Sequence, residues 1–136
     1  MRKLVLLTLL LSFVQCQTGT VIPDNTLTGR WVWVQSTGGI AGTTNTPAST
    51  KQSIEVEFTA DSHQRVYING LLASDMPYHT IRDKSIYTGE EADMIQYDDD
   101  QSKATYSFEN GDLIIASECY DCFTSRYTRK AAGGDK

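Results

Sequence analysis

The chain has 136 residues, 40% of them hydrophobic and 21% charged, with 12 Lys and Arg against 17 Asp and Glu for a formal charge of −5. That length suits one domain. The acid excess argues against nucleic acid as a partner, because phosphates demand a basic surface, and against an anionic membrane surface.

Residues 1–16 read as a signal peptide. Arg2 and Lys3 form a positive head, and Leu4 to Leu11 an apolar run broken only by Thr8. The run is well short of the ~20 residues that a spanning helix needs. Two endings stand side by side. A cysteine this close behind the apolar run resembles a bacterial lipoprotein signal, which would leave Cys16 as a lipid anchor. Against it, Gln15 and Phe13 stand where a small residue and Leu are usual. The alternative is ordinary cleavage after Cys16, read at small Val14 and Cys16. Either way the protein is expected to be exported, as a periplasmic or secreted protein or a membrane-anchored lipoprotein. Loss of Arg2 and Lys3 takes the formal charge to −7. Residues 17–26 read as a tether.

The first segment that can only be a strand is Gly29-Arg-Trp-Val-Trp-Val34. Trp31 and Trp33 are two apart and share one face, while Val32 and Val34 give the other face an apolar character of its own. Thr37 to Thr50 is rich in Gly, Thr and Pro and reads as a long loop without a helix. Loops of that length are usually functional or disordered. Ser53 to Phe58 alternates, with Ile54, Val56 and Phe58 on one face. Arg65–Ile68 and Leu71–Ser74 flank Asn69-Gly70, a hairpin signal, since both residues tolerate φ > 0. Asp75-Met76-Pro77 is expected to break pairing before Tyr78–Arg82, and Asp83-Lys84 to turn the chain into Ser85–Thr88. An acidic stretch from Gly89 to Lys103 surrounds a short Met94–Tyr97 strand. A second hairpin signal, Asn110-Gly111, joins Thr105–Glu109 to Asp112–Ser117. Phe123–Arg129 is the last strand, and residues 131–136 a flexible tail.

Eight or nine short strands without a convincing helix mean an all-β sandwich or barrel. An immunoglobulin-type sandwich would want widely spaced cysteines around a buried Trp. Cys119 and Cys122 are instead adjacent in a turn, which favours a small antiparallel up-and-down β-barrel of about eight strands over residues 27–130.

At Gly29-Arg30-Trp31 the chain resembles the lipocalin and calycin superfamily, whose signature is Gly-x-Trp on the first strand and a late Arg over that Trp. It is more closely similar to small bacterial exported lipocalin-like domains, through Leu27–Val34, Ser36–Gly42 with Thr46-Pro47, and Cys119–Arg129. The resemblance covers about residues 27–129 and implies a lipocalin-like barrel. The C-terminal helix of full-size lipocalins has no counterpart in this sequence. In a closed barrel the first strand pairs with the last, which sets Arg129 over Trp31, with Arg126 as the alternate, and makes Gly29, Trp31 and Arg129 the structural signature.

Cys119 and Cys122 are expected to form a local disulfide in an oxidising compartment, with free thiols as the alternative. A zinc site would need about four ligands, and only His63 and His79, on separate segments, remain to supply them. Neither histidine belongs to a nucleophile arrangement. Asp98-Asp99-Asp100 lacks the spaced acidic loop with Gly of a tight Ca²⁺ site and reads as a solvated turn. No metal, cofactor or catalytic residue is therefore expected. Trp33, Phe58, Tyr78 and Tyr106 are the expected ligand contacts, in a shallow pocket at the open mouth rimmed by the Gly38–Thr50 loop.

Two functions follow. The first is a non-enzymatic monomer that binds a small apolar or amphipathic ligand at the barrel mouth. The second is a cell-envelope protein-interaction or inhibitor module without a cavity, using the long loop as its contact surface.

Overall fold

A computed structural model describes residues 24–131. The leader, Cys16, most of the tether and residues 132–136 of the tail lie outside the described residues. The strands are β1 (Gly29–Gly38), β2 (Thr43–Asn45), β3 (Ile54–Phe58), β4 (His63–Ile68), β5 (Leu71–Lys84), β6 (Glu91–Tyr97), β7 (Lys103–Glu109), β8 (Asp112–Ser117) and β9 (Phe123–Arg129), with one helical turn, α1 (Pro47–Thr50). All pairings are antiparallel. β1 and β3 to β9 follow one another around the sheet, and β9 returns to β1, so eight strands close into a barrel. β2 pairs only with the far end of β1.

The β1–β9 seam sets Trp31 opposite Arg129 and Gly38 opposite Phe123. A bulge between Trp33 and Gln35 resets the alternation, so Trp33 and Ser36 both face inward. The Trp33 indole N–H donates to Ser36 Oγ at 2.8 Å. Val34 sits in the bulge and is partly exposed.

Both Asn-Gly turns form as the sequence predicts. Asn69 and Asn110 each take φ 52°, and their glycines are also positive. Three expectations need correction. The Thr37–Thr50 segment is not one loop: β1 runs to Gly38, β2 folds back, and α1 follows. Thr46 caps α1 through a capping box with Ser49, and Pro47 opens its first turn, a local chemistry that makes a helical turn despite the breaker-rich composition. Second, Pro77 does not interrupt pairing. β5 hands over partners there, pairing with β4 through Leu71–Pro77 and with β6 through Tyr78–Lys84, so the missing N–H falls at the switch. Third, Asp83 and Lys84 extend β5, and the reversal comes later, at Ser85–Glu90, where Ser85 N–H donates to the Glu90 carbonyl at 2.9 Å.

The core packs Trp31, Phe58, Ile95 and Leu113, all essentially fully buried, with Leu27, Val56, Tyr78, Ala104 and Ile115. Phe58 meets Tyr78 edge-on with centroids 5.3 Å apart, and Trp31 meets Phe108 at 6.0 Å. At the end of this core the Arg129 guanidinium carbon lies 4.2 Å from the centre of the Trp31 ring. Its nitrogens donate to the carbonyls of Asp24, Thr26 and Thr28 at 2.8, 2.6 and 3.2 Å. The Trp31 indole N–H adds a bond to the Leu27 carbonyl at 2.9 Å. One side chain thus binds the incoming segment across the end of the barrel. Gly29 makes room for it, since a Cβ there would stand 2.7 Å from the guanidinium.

Candidate functional site

Beyond the core the barrel opens into a cavity of about 630 Å³, within the usual range for small-molecule sites. β6, β7, β8 and β9 contribute Met94, Tyr97, Ala104, Ile115, Phe123, Ser125 and Tyr127, and β4 contributes Gln64. These residues converge because the inward faces of neighbouring strands line up across the ladder: Ala104 opposes Ser117, and Ile115 opposes Ser125.

The uncharged side chains make an amphipathic inner wall. Gln64 is a buried polar residue. Burial pushes the Tyr97 phenol up to about 12, with a hydrogen bond from Gln64 pulling the other way. Burial likewise raises Tyr127, opposed by a hydrogen bond with Ser125. Both phenols are therefore neutral donors at physiological pH. Ser125 Oγ also lies 2.6 Å from Ser36 Oγ, continuing a polar line from Trp33.

Asp83, Lys84, Lys103 and Glu118, at the ends of β5, β7 and β8, add charge to the lining. Lys103 Nζ pairs with Asp83 at 2.6 Å, and that hydrogen bond holds the Asp83 carboxyl below its usual range. Glu118 accepts from Ser85 Oγ at 2.9 Å and from Ile86 N–H at 2.7 Å. The Tyr87 hydroxyl donates to the carbonyls of Ser117 and Cys119. The β5–β6 reversal is thereby strapped to the β8–β9 turn, in which Cys119 and Cys122 form a disulfide. On the strap's other side a second cleft of about 570 Å³ is lined by Tyr87, Thr88, Thr105, Tyr106, Thr124 and Cys122 among others.

All four expected ligand contacts lie outside the mouth cavity. Trp33, Phe58 and Tyr78 are buried, and none of them lines the mouth cavity. Their side chains point inward, as alternation requires, but at the level of the packed core. Tyr106 borders the second cleft. Gln64, Tyr97 and Tyr127 form the polar wall instead. Tyr127 shares strand parity with Arg129 and is legible as an inward residue on that ground, whereas nothing in the acidic surroundings of Tyr97 marks it as interior. The expected rim loop also does not line the cavity.

The histidines are not isolated. His63 Nδ1 lies 2.7 Å from Asp75, and His79 Nδ1 lies 2.7 Å from Asp98. Asp100 accepts from Ser102 N–H at 2.9 Å, closing an Asx turn. Among the described residues, no three His, Cys, Asp or Glu side chains gather to hold a metal.

No protein-family model, no curated protein and no solved structure matches the chain.

The raised phenol makes an alkaline prediction. Tyr97 stays neutral in the fold up to about 12, whereas its unfolded reference value is 10.0. Its stabilising contribution is therefore fully present below pH 10 and lost as pH rises toward 12. That loss is on the order of 2–3 kcal/mol, at 1.36 kcal/mol per unit. Urea unfolding at pH 8 and pH 11.5 should show this drop in the native protein and a smaller one in Tyr97→Phe. Equal drops in both would refute it.

Proposed function

We propose that this chain is a non-enzymatic, exported, lipocalin-like binding protein whose mouth cavity holds a small amphipathic molecule with an uncharged end buried. The observation carrying this reading is the cavity of about 630 Å³ opening above a filled aromatic core. Its inner wall sets apolar Met94, Ala104, Ile115 and Phe123 beside neutral hydrogen-bonding Gln64, Tyr97, Ser125 and Tyr127. Such a wall rewards apolar surface and a few directed hydrogen bonds, and penalises a buried ionic group. The leader-like residues 1–16 support export, and the Trp31–Arg129 stack supports the lipocalin-like resemblance.

The neutral fluorescent amphiphile N-phenyl-1-naphthylamine tests this reading. Its emission should rise saturably at one site per chain. Ser117→Trp, which projects an indole into the mouth, should weaken binding about tenfold or more while circular dichroism stays unchanged, the equivalent of about 1.4 kcal/mol. Non-saturable emission, or equal affinity in the variant, would sink the proposal.

A contact-surface reading has its own observation. Ile40, in the turn between β1 and β2, is 92% exposed, and Leu71 and Leu72 are exposed on β5. Recovery of a specific envelope protein that is lost in Ile40→Ser would favour that reading over ligand binding.

A further inference from the structure

We propose that the Cys119–Cys122 disulfide is a thiol–disulfide exchange site, open to a dithiol reductant, whose reduction frees the strap over the mouth cavity. The gating half of this inference rests on reading that cavity as a binding site.

Cys119 is exposed, Cys122 is less so, and the bond closes a turn of only four residues. Three successive strap residues depend on the segment this bond braces. Ser85 and Ile86 donate to Glu118, and Tyr87 donates to the carbonyls of Ser117 and Cys119. On the opposite flank, Gly39 N–H reaches the Cys122 carbonyl at 3.4 Å. Cys119 lines the mouth cavity and Cys122 lines the second cleft, so the bridge stands between the two.

The exchange balances as follows. A thiolate of the dithiol attacks exposed Cys119 Sγ, forming a mixed disulfide and expelling Cys122 as a thiolate, which takes up a proton. The reductant's second thiol gives up its proton and attacks the mixed disulfide, leaving as a cyclic disulfide while Cys119 departs as a thiolate and is protonated. Two electrons and two protons pass to the cysteine pair. The turn then loses its covalent closure, and the Cys119 carbonyl is no longer held under Tyr87. The barrel wall is spared, because β8 and β9 stay paired from Leu113–Tyr127 to Ala116–Thr124.

Hydrogen exchange on the whole chain, oxidised and then reduced with dithiothreitol, provides the test. Amides of Ile86 and Tyr87 should exchange about tenfold faster or more after reduction, while β3–β4 amides such as Val56 and Val66 hold their rates. The double variant Cys119→Ser, Cys122→Ser should reproduce the reduced pattern without reductant. Unchanged strap exchange overturns the proposal. So does a rise spread equally over β3 and β4, which would make the disulfide a global brace. N-phenyl-1-naphthylamine should also leave the reduced protein faster, and an unchanged off-rate overturns the gate. If the probe binds neither form, the ligand-binding reading and the gate fail together, while strap exchange still decides whether the exchange site controls the strap.

Discussion

Arg129→Ala should lower the unfolding free energy by about 2–3 kcal/mol, through loss of a cation–π contact worth ~1–2 kcal/mol together with charge-assisted hydrogen bonds that solvent partly replaces. The guanidinium lies over Trp31 and donates to three carbonyls of the incoming segment. Its side chain is 29% exposed, so solvent replaces part of each interaction, and the separate values do not simply add. In a domain of this size the loss corresponds to roughly 10 °C or more in melting temperature. Arg129→Lys should recover less than half, because a single ammonium cannot span the Trp31 face and three carbonyls with a planar fork. Thermal unfolding of both variants decides the matter. A melting temperature unchanged in Arg129→Ala would show that this end closes without its plug.

Gly38→Ala should be comparably damaging, for a different reason. A Cβ at this position would overlap the Cys122 carbonyl oxygen and stand 2.8 Å from Phe123 Cα. Both neighbours are backbone, so no rotamer change relieves the clash, and β1 must part from β9 at the register Gly38–Phe123. Overpacking of this kind costs about 1–3 kcal/mol. The disturbance falls at the mouth, since Phe123 lines the cavity. Weaker N-phenyl-1-naphthylamine binding should therefore accompany the lower stability. Gly42→Ala is the useful contrast. Nothing lies within 4 Å of its Cβ, and its cost, about 1 kcal/mol, comes only from a φ of +62°. If Gly38→Ala were as stable as Gly42→Ala, close approach along the seam would not govern this end of the barrel.

The site was less legible than the fold, and Trp33 shows why. Strand alternation correctly turned it inward, but inwardness does not say whether a residue lies in the filled part of a barrel or in its open part. That depends on the stagger between strands, set by the β1 bulge and the partner switch at Pro77. The same stagger places Phe58 and Tyr78 edge-to-face in the core and lifts Tyr97 and Tyr127 into the cavity wall. The strap is not legible in the sequence because Ser85–Thr88 reads as a strand after a turn at Asp83-Lys84, and its donors meet Glu118 and Cys119 only some thirty residues later.

What the sequence determined by itself was closure. Period-2 alternation, two Asn-Gly turns and a Trp on the first strand are local signals. An antiparallel chain of such hairpins brings its first strand to its last, which is how Gly29, Trp31 and Arg129 came to share one end. Tertiary structure decided where that closed end stops and the cavity begins. Cavity depth depends on register and shear among eight strands, and outside the two Asn-Gly hairpins registers such as that of the β1–β9 seam are long-range contacts that no local stretch of sequence encodes. The segment around Trp31 is therefore readable as the plug of the barrel, and only the assembled wall shows the space left above it.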